Sequence, residues 1–136
     1  MSWSISKITA VLVVPAVEPS LAFWEQRLGF IKIAEVPHGG ALGFALLVKD
    51  GTEVMLQSEA SVRDDLGSST GPVTGTSTVL FVEVSDLAAV EAALGDYPIA
   101  MARRTTFYGM HEVGVREPGG HLVMFAQPTK QEPEAG

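Results

Sequence analysis

Two stretches of this 136-residue chain superpose without a gap, and that internal repeat limits the possible folds more than any other feature. Gly51 aligns with Gly120, Val54 with Val123 and Met55 with Met124, a constant offset of 69 residues. Each stretch reads as the returning arm of a hairpin. In the later copy Val113 and Val115 enter Glu117-Pro118-Gly119-Gly120, and Leu122 to Ala126 return. Pro presets φ for such a turn and Gly permits φ > 0. In the earlier copy Leu46 to Val48 enter Lys49-Asp50-Gly51 and Thr52 to Ser58 return, with Asp-Gly as the turn signal.

The repeat extends upstream in the same order. Ile8 to Val14 and Val79 to Val84 are apolar runs of strand length, each leading into a helix that ends in Leu-Gly, at Leu28-Gly29 and Leu94-Gly95. Glu18-Pro19 starts the first helix and Ser85-Asp86 caps the second. Leu21, Trp24 and Leu28 fall at i, i+3 and i+7, as do Leu87, Val90 and Leu94, which gives each helix one apolar stripe for a sheet. Two strand-length runs precede each returning strand: Phe30 to Glu35 and Gly43 to Val48 in the first half, Pro98 to Ala102 and the run through Val113 and Val115 in the second. The expected fold is α+β, two tandem βαβββ modules over residues 7–58 and 77–128. Residues 59–76 are polar and rich in Gly, Ser and Thr, a linker between the modules. Residues 130–136 are a polar tail expected to be disordered.

Charge and composition exclude several function classes. A net charge of −7 with nine Lys and Arg leaves little to neutralise phosphates, so no nucleic acid partner is expected. No run approaches a membrane span. Zero Cys removes disulfides, thiolate nucleophiles and Cys-ligated zinc, and agrees with a reducing compartment. Residues 1 to 6 carry no basic segment followed by an apolar one, and a cytoplasmic chain is the expectation. No Ser-His-Asp order, Gly-rich phosphate loop or paired-carboxylate spacing stands out; no cofactor is expected and no nucleophile is visible.

The repeat together with FWEQRLGF on the first helix, GTEVMLQ, and YGMHEVGVREPGGHLVMFAQP at the end resembles the glyoxalase/bleomycin resistance protein/dioxygenase superfamily, the vicinal oxygen chelate fold, over residues 7 to 128. The resemblance implies a cupped, mostly antiparallel sheet with helices outside, and a homodimer. In the family's enzymes a metal sits in the cup, held by His or Gln on the first strand and Glu on the returning strand of each module. Those positions fall at Thr9, Met55, Val79 and Met124 here. None suits a hard divalent ion, since Met offers a soft thioether, Val nothing and Thr a neutral hydroxyl. No metal site is therefore expected.

What replaces the metal site is an apolar lining. Met55, Val79, Phe81 and Met124 suit a flat apolar or aromatic molecule, with Thr9, Gln57, Phe107, Tyr108 and His111 as further contacts and Glu83 as a possible polar handle. Met also fills irregular gaps in cores, so a collapsed interior is the competing reading of Met55 and Met124. A metal displaced onto His111 and Glu112 meets an obstacle: adjacent strand residues point to opposite faces. His38 and His121 lie in turns and are expected to be solvated. The resemblance thus implies metal-independent binding of a small hydrophobic or aromatic molecule, of the bleomycin-resistance kind. The alternative is a glyoxalase- or dioxygenase-like lyase or isomerase with relocated ligands, or one working without metal through His111, Tyr108 or Glu112.

Overall fold

The computed structural model describes residues 2–67 and 78–129. The chain divides into two compact units, Met1–Thr76 and Ser77–Gly136. The first contains β1 (Val11–Val14), α1 (Val17–Ala22) continuing into a π-helical turn (Phe23–Arg27), β2 (Ile31–His38), β3 (Ala41–Lys49), β4 (Thr52–Ser58) and α2 (Glu59–Leu66). The second contains β5 (Val79–Glu83), α3 (Leu87–Leu94), β6 (Met101–Thr105), β7 (Met110–Arg116) and β8 (Leu122–Pro128). The strand orders correspond: β1-β4-β3-β2 in one sheet, β5-β8-β7-β6 in the other. In each, the first strand pairs parallel with the last and the remaining pairs are antiparallel. This is the α+β fold of tandem βαβββ modules.

Strand alternation separates a helix-covered face from an open one. In the first sheet Leu12 lies beside Leu56, Leu56 beside Ala45, and Val54 beside Leu47. All five are buried, as are Val17, Leu21, Phe23 and Trp24 of the helical segment. The second sheet repeats the arrangement with Val113 beside Phe125 and Val115 beside Val123, together with Leu87 and Leu94 of α3. Each fully buried Leu contributes about 2 kcal/mol of transfer free energy. Met55 and Met124 take the opposite face of their strands, as the alternation predicts.

The Asp-Gly turn holds both central residues at positive φ, 51° at Asp50 and 77° at Gly51, the type I′ geometry whose twist suits a two-residue hairpin. Gly29, at φ 78°, ends the first helical segment as expected.

Several expectations need correction. The first strand begins at Val11 and not at Ile8, which is exposed; ahead of Val11 the Ala10 carbonyl still accepts from the Met55 N–H of β4 at 3.0 Å. The first helix starts at Val17 without a side-chain cap, and its second half widens into the π turn. The beginning of the linker is helical: Ser58 accepts from the backbone N–H of Ser61 and caps α2. The rest of the linker and the tail lie outside the described residues. The strand expected over Pro98 to Ala102 runs instead from Met101 to Thr105, because polar Arg103, Arg104 and Thr105 suit an exposed edge.

His121 is buried, only 2% exposed, where a solvated side chain was expected. The Glu-Pro-Gly-Gly-His turn folds inward. Glu117 Oε1 accepts from the His121 backbone N–H at 3.2 Å, and the Glu117 N–H donates to the His121 carbonyl at 2.9 Å. His38 also falls in a strand, not a turn, and lies 2.7 Å from Asp64 of α2.

Candidate functional site

The open face of the second sheet gathers the residues with the most to offer a ligand. Phe81, Met124 and Gly114 form one row across β5, β8 and β7; Glu83, Ala126, Glu112 and Arg104 form the next, reaching edge strand β6; Val79, Leu122 and Arg116 form the row on the other side. Val79 and Phe81 are 58% and 54% exposed. Large apolar side chains standing together on an exposed sheet face mark a contact surface more often than chance exposure does.

Met124 does not stand out of this face. It is buried, and a Cβ built on Gly114 would come within 2.8 Å of its sulfur, so the thioether lies flat over the bare glycine backbone. Gly114→Ala should therefore push the Met124 thioether outward. Because the sulfur ends a flexible side chain, stability should change by no more than about 1 kcal/mol. A melting curve and the shift of the Met124 ε-methyl NMR signal check both halves of this expectation.

Glu112 is the buried carboxylate of this face, 0% exposed. Arg104 donates to its Oε1 from Nε at 3.1 Å and from Nη2 at 3.0 Å, and the Tyr108 hydroxyl donates to Oε2 at 2.8 Å. The β6–β7 hairpin makes this possible. Its tip is closed by the Thr106 N–H on the Met110 carbonyl and the Gly109 N–H on the Thr106 carbonyl. Phe107 projects from that tip, 99% exposed, with its ring edge-on to Tyr108 at 5.2 Å. A phenol tethered to a buried carboxylate holds its ring in place and leaves the ring exposed as a wall.

The other predicted residues are distributed as follows. Thr9 precedes β1 and donates to Glu53 Oε2 at 2.7 Å, beside the Lys7 to Glu53 Oε1 ion pair at 2.9 Å. Met55 and Gln57 occupy the open face of the first sheet, each half-buried, with Gln57 donating to Ser61 Oγ at 3.1 Å. His111 stands beside Thr105 and Gln127, on the face opposite Met124, and shares a hydrogen bond with Thr105 through Nδ1 at 2.9 Å. The second unit thus sets Val79, Phe81 and Met124 on one face of β5 and β8, holds Tyr108 on Glu112 at the β6–β7 end of the sheet, and turns His111 to the other face, while Thr9, Met55 and Gln57 belong to the first unit. Sequence reasoning missed Arg104. Its signal was available: Arg104 and Glu112 stand equally far from Tyr108 on either arm of the hairpin, so antiparallel pairing sets opposite charges side by side.

Hydrogen bonding by Lys7 first, and Thr9 second, holds the Glu53 carboxyl below its ordinary value. A depressed carboxylate contributes stability that is present above the unfolded-state value and is lost as pH falls through the folded one. The tie of Lys7 and Thr9 to β4 should accordingly release only below the usual carboxylate range. A ¹³C titration of the Glu53 carboxyl checks this, and Lys7→Met should return the midpoint toward the ordinary value.

The metal implied by the family resemblance does not fit these residues. The Thr9 hydroxyl is committed to Glu53, Val79 has no donor, and the Met124 sulfur is packed on Gly114. Among the described residues no three His, Cys, Asp or Glu side chains are grouped as a metal would require.

The model of the Glyoxalase/Bleomycin resistance protein/Dioxygenase superfamily matches residues 5–125. No curated protein matches. Among solved structures the chain is similar to lactoylglutathione lyase from Agrobacterium tumefaciens, at 12% identity and TM-score 0.73 over 91% of this chain and 95% of that one. It is similar to TioX from Micromonospora sp. ML1, at 19% identity and TM-score 0.70 over 90% and 98%. TnmS3, an antibiotic binding protein from Streptomyces sp. CB03234, shares 20% identity at TM-score 0.61 over 93% and 99%. Likeness at these identities speaks for the fold, and the family match agrees with the strand order repeated in both units. The chain belongs to the glyoxalase/bleomycin resistance protein/dioxygenase superfamily.

Proposed function

We propose that the protein binds a small, flat, largely apolar molecule on the open face of its second sheet and holds it without metal and without changing it chemically. The observation that carries this reading is the exposure of Val79 and Phe81 beside Met124, on strands where the family's enzymes place metal ligands. That one structural neighbour is an antibiotic binding protein supports the same direction. The alternative of a metal-free lyase or isomerase draws less support. Its candidate base Glu112 has both oxygens engaged, and His111 faces the other side of the sheet. The reading includes a homodimer, as the family resemblance implies, and a cytoplasmic chain, as the absence of Cys suggests; exposed Ile31, Ile33 and Val36 on edge strand β2 offer apolar surface for a second subunit.

Thermal-shift screening of planar aromatics, antibiotics among them, tests the proposal. A compound at a hundred times its dissociation constant adds about 2.7 kcal/mol, which for a domain of this size raises the melting temperature by roughly 10 °C. The shift should survive chelator. It should vanish in Met124→Glu, which sets an unpaired carboxylate in the apolar floor. A broad library without a hit, or hits that shift the variant equally, would count against this face as the site.

A further inference from the structure

The ion pair at the rim of this face carries information about the kind of ligand it takes. Arg104 uses Nε and Nη2 on Glu112, both aimed at one carboxylate oxygen. A guanidinium has five N–H groups in one plane, so the Nη1 end is not used in either contact. The Arg104 side chain is half exposed while Glu112 is buried beneath it. Arg104 stands on edge strand β6, and its partner Glu112 lies in the row next to that of Met124 and Gly114, on the same face of the sheet. Tyr108 is tied to the other oxygen of the same Glu112 carboxylate.

This arrangement donates hydrogen bonds but offers little net charge. The positive charge of Arg104 is balanced at about 3 Å by Glu112, and attraction to a further charge falls off as that of a dipole and not of a lone cation. A ligand carboxylate arriving there would lose its hydration, meet a cation already paired, and do so on a chain of net charge −7. An uncharged acceptor such as a ketone loses far less hydration and gains the same N–H donor. Building on the binding reading above, we infer that the site selects flat aromatic molecules carrying an uncharged oxygen acceptor at one edge, with Arg104 as the specificity-determining residue and Glu112 as the residue that positions it.

Three probes of similar size separate the possibilities: 2-ethylnaphthalene, 2-acetylnaphthalene and 2-naphthoate, titrated by fluorescence or calorimetry into the full chain. The ketone should bind roughly 3- to 10-fold more tightly than the hydrocarbon, the worth of one net hydrogen bond, and the carboxylate should bind most weakly. The paired variant Arg104→Met with Glu112→Met removes the donor without stranding a buried charge or adding an amide N–H in its place. It should abolish the advantage of the ketone and leave the hydrocarbon unchanged. Should that variant not fold, Arg104→Lys keeps the charge opposite Glu112 but withdraws the fork, and the same loss is expected. Tightest binding by 2-naphthoate, or an advantage of the ketone that persists in the variant, would overturn the inference while leaving the binding reading in place. Binding by none of the three would overturn both.

Discussion

Arg104→Ala should destabilise the protein by about 3 kcal/mol, an effect out of proportion to a half-exposed side chain. The cost arises at Glu112, whose carboxylate would stay buried with only the Tyr108 hydroxyl to satisfy it. Removing one partner of a buried pair costs about 3 to 5 kcal/mol, and water reaching the vacated Arg104 position sets the lower figure. Replacing both members, Arg104→Met with Glu112→Gln, should recover most of the loss, because no uncompensated charge remains. Urea denaturation of the parent, Arg104→Met, Glu112→Gln and the paired variant gives the coupling directly. Equal losses in the single and paired variants would show that Arg104 acts by packing and not by neutralising Glu112.

Leu56→Ala should cost about 2 to 5 kcal/mol, whereas Met55→Ala, one residue away, should change stability by less than about 1 kcal/mol. Leu56 is fully buried between Leu12 and Ala45 on the helix-covered side of the first sheet. Met55 takes the other side of the same strand and is half-buried. The contrast tests the assignment of faces and not merely the presence of a core. Comparable losses at both positions would mean that the open face is closed in solution.

Much of this was legible in the chain because hairpins write themselves locally. Asp50-Gly51 sets one turn and Glu117-Pro118-Gly119-Gly120 the other, and the 69-residue offset then fixes Met55 and Met124 on equivalent strands. The two helices were readable from their apolar spacing, but the π turn at Phe23–Arg27 was not, since it changes hydrogen-bond partners without changing which residues are apolar. Ile8 misled because apolar character alone does not extend a ladder: the strand begins at Val11 and Ile8 stays exposed. His121 misled for the opposite reason: turns are usually wet, and nothing in the local sequence says that this one folds under its own Glu117. The buried charge of Glu112 was the least legible part. It depends on Arg104 across the hairpin and Tyr108 at its tip, a contact set that exists only once register is known.

The alternation along β8 has an evolutionary consequence. Val123 and Phe125 take the helix-covered face, while Leu122, Met124 and Ala126 take the other, where Met124 and Ala126 are themselves buried. On β5 the alternation leaves Val79, Phe81 and Glu83 exposed between Leu80 and Val82, so every second letter of that strand is available for rewriting without touching the core. Drift under selection for a new ligand can explore those positions at little cost in stability. Two places resist it: Gly114, which must stay small while Met124 lies across it, and the Arg104–Glu112 pair, which can change only together. A lineage of such chains should diversify quickly in what it holds and slowly at those points.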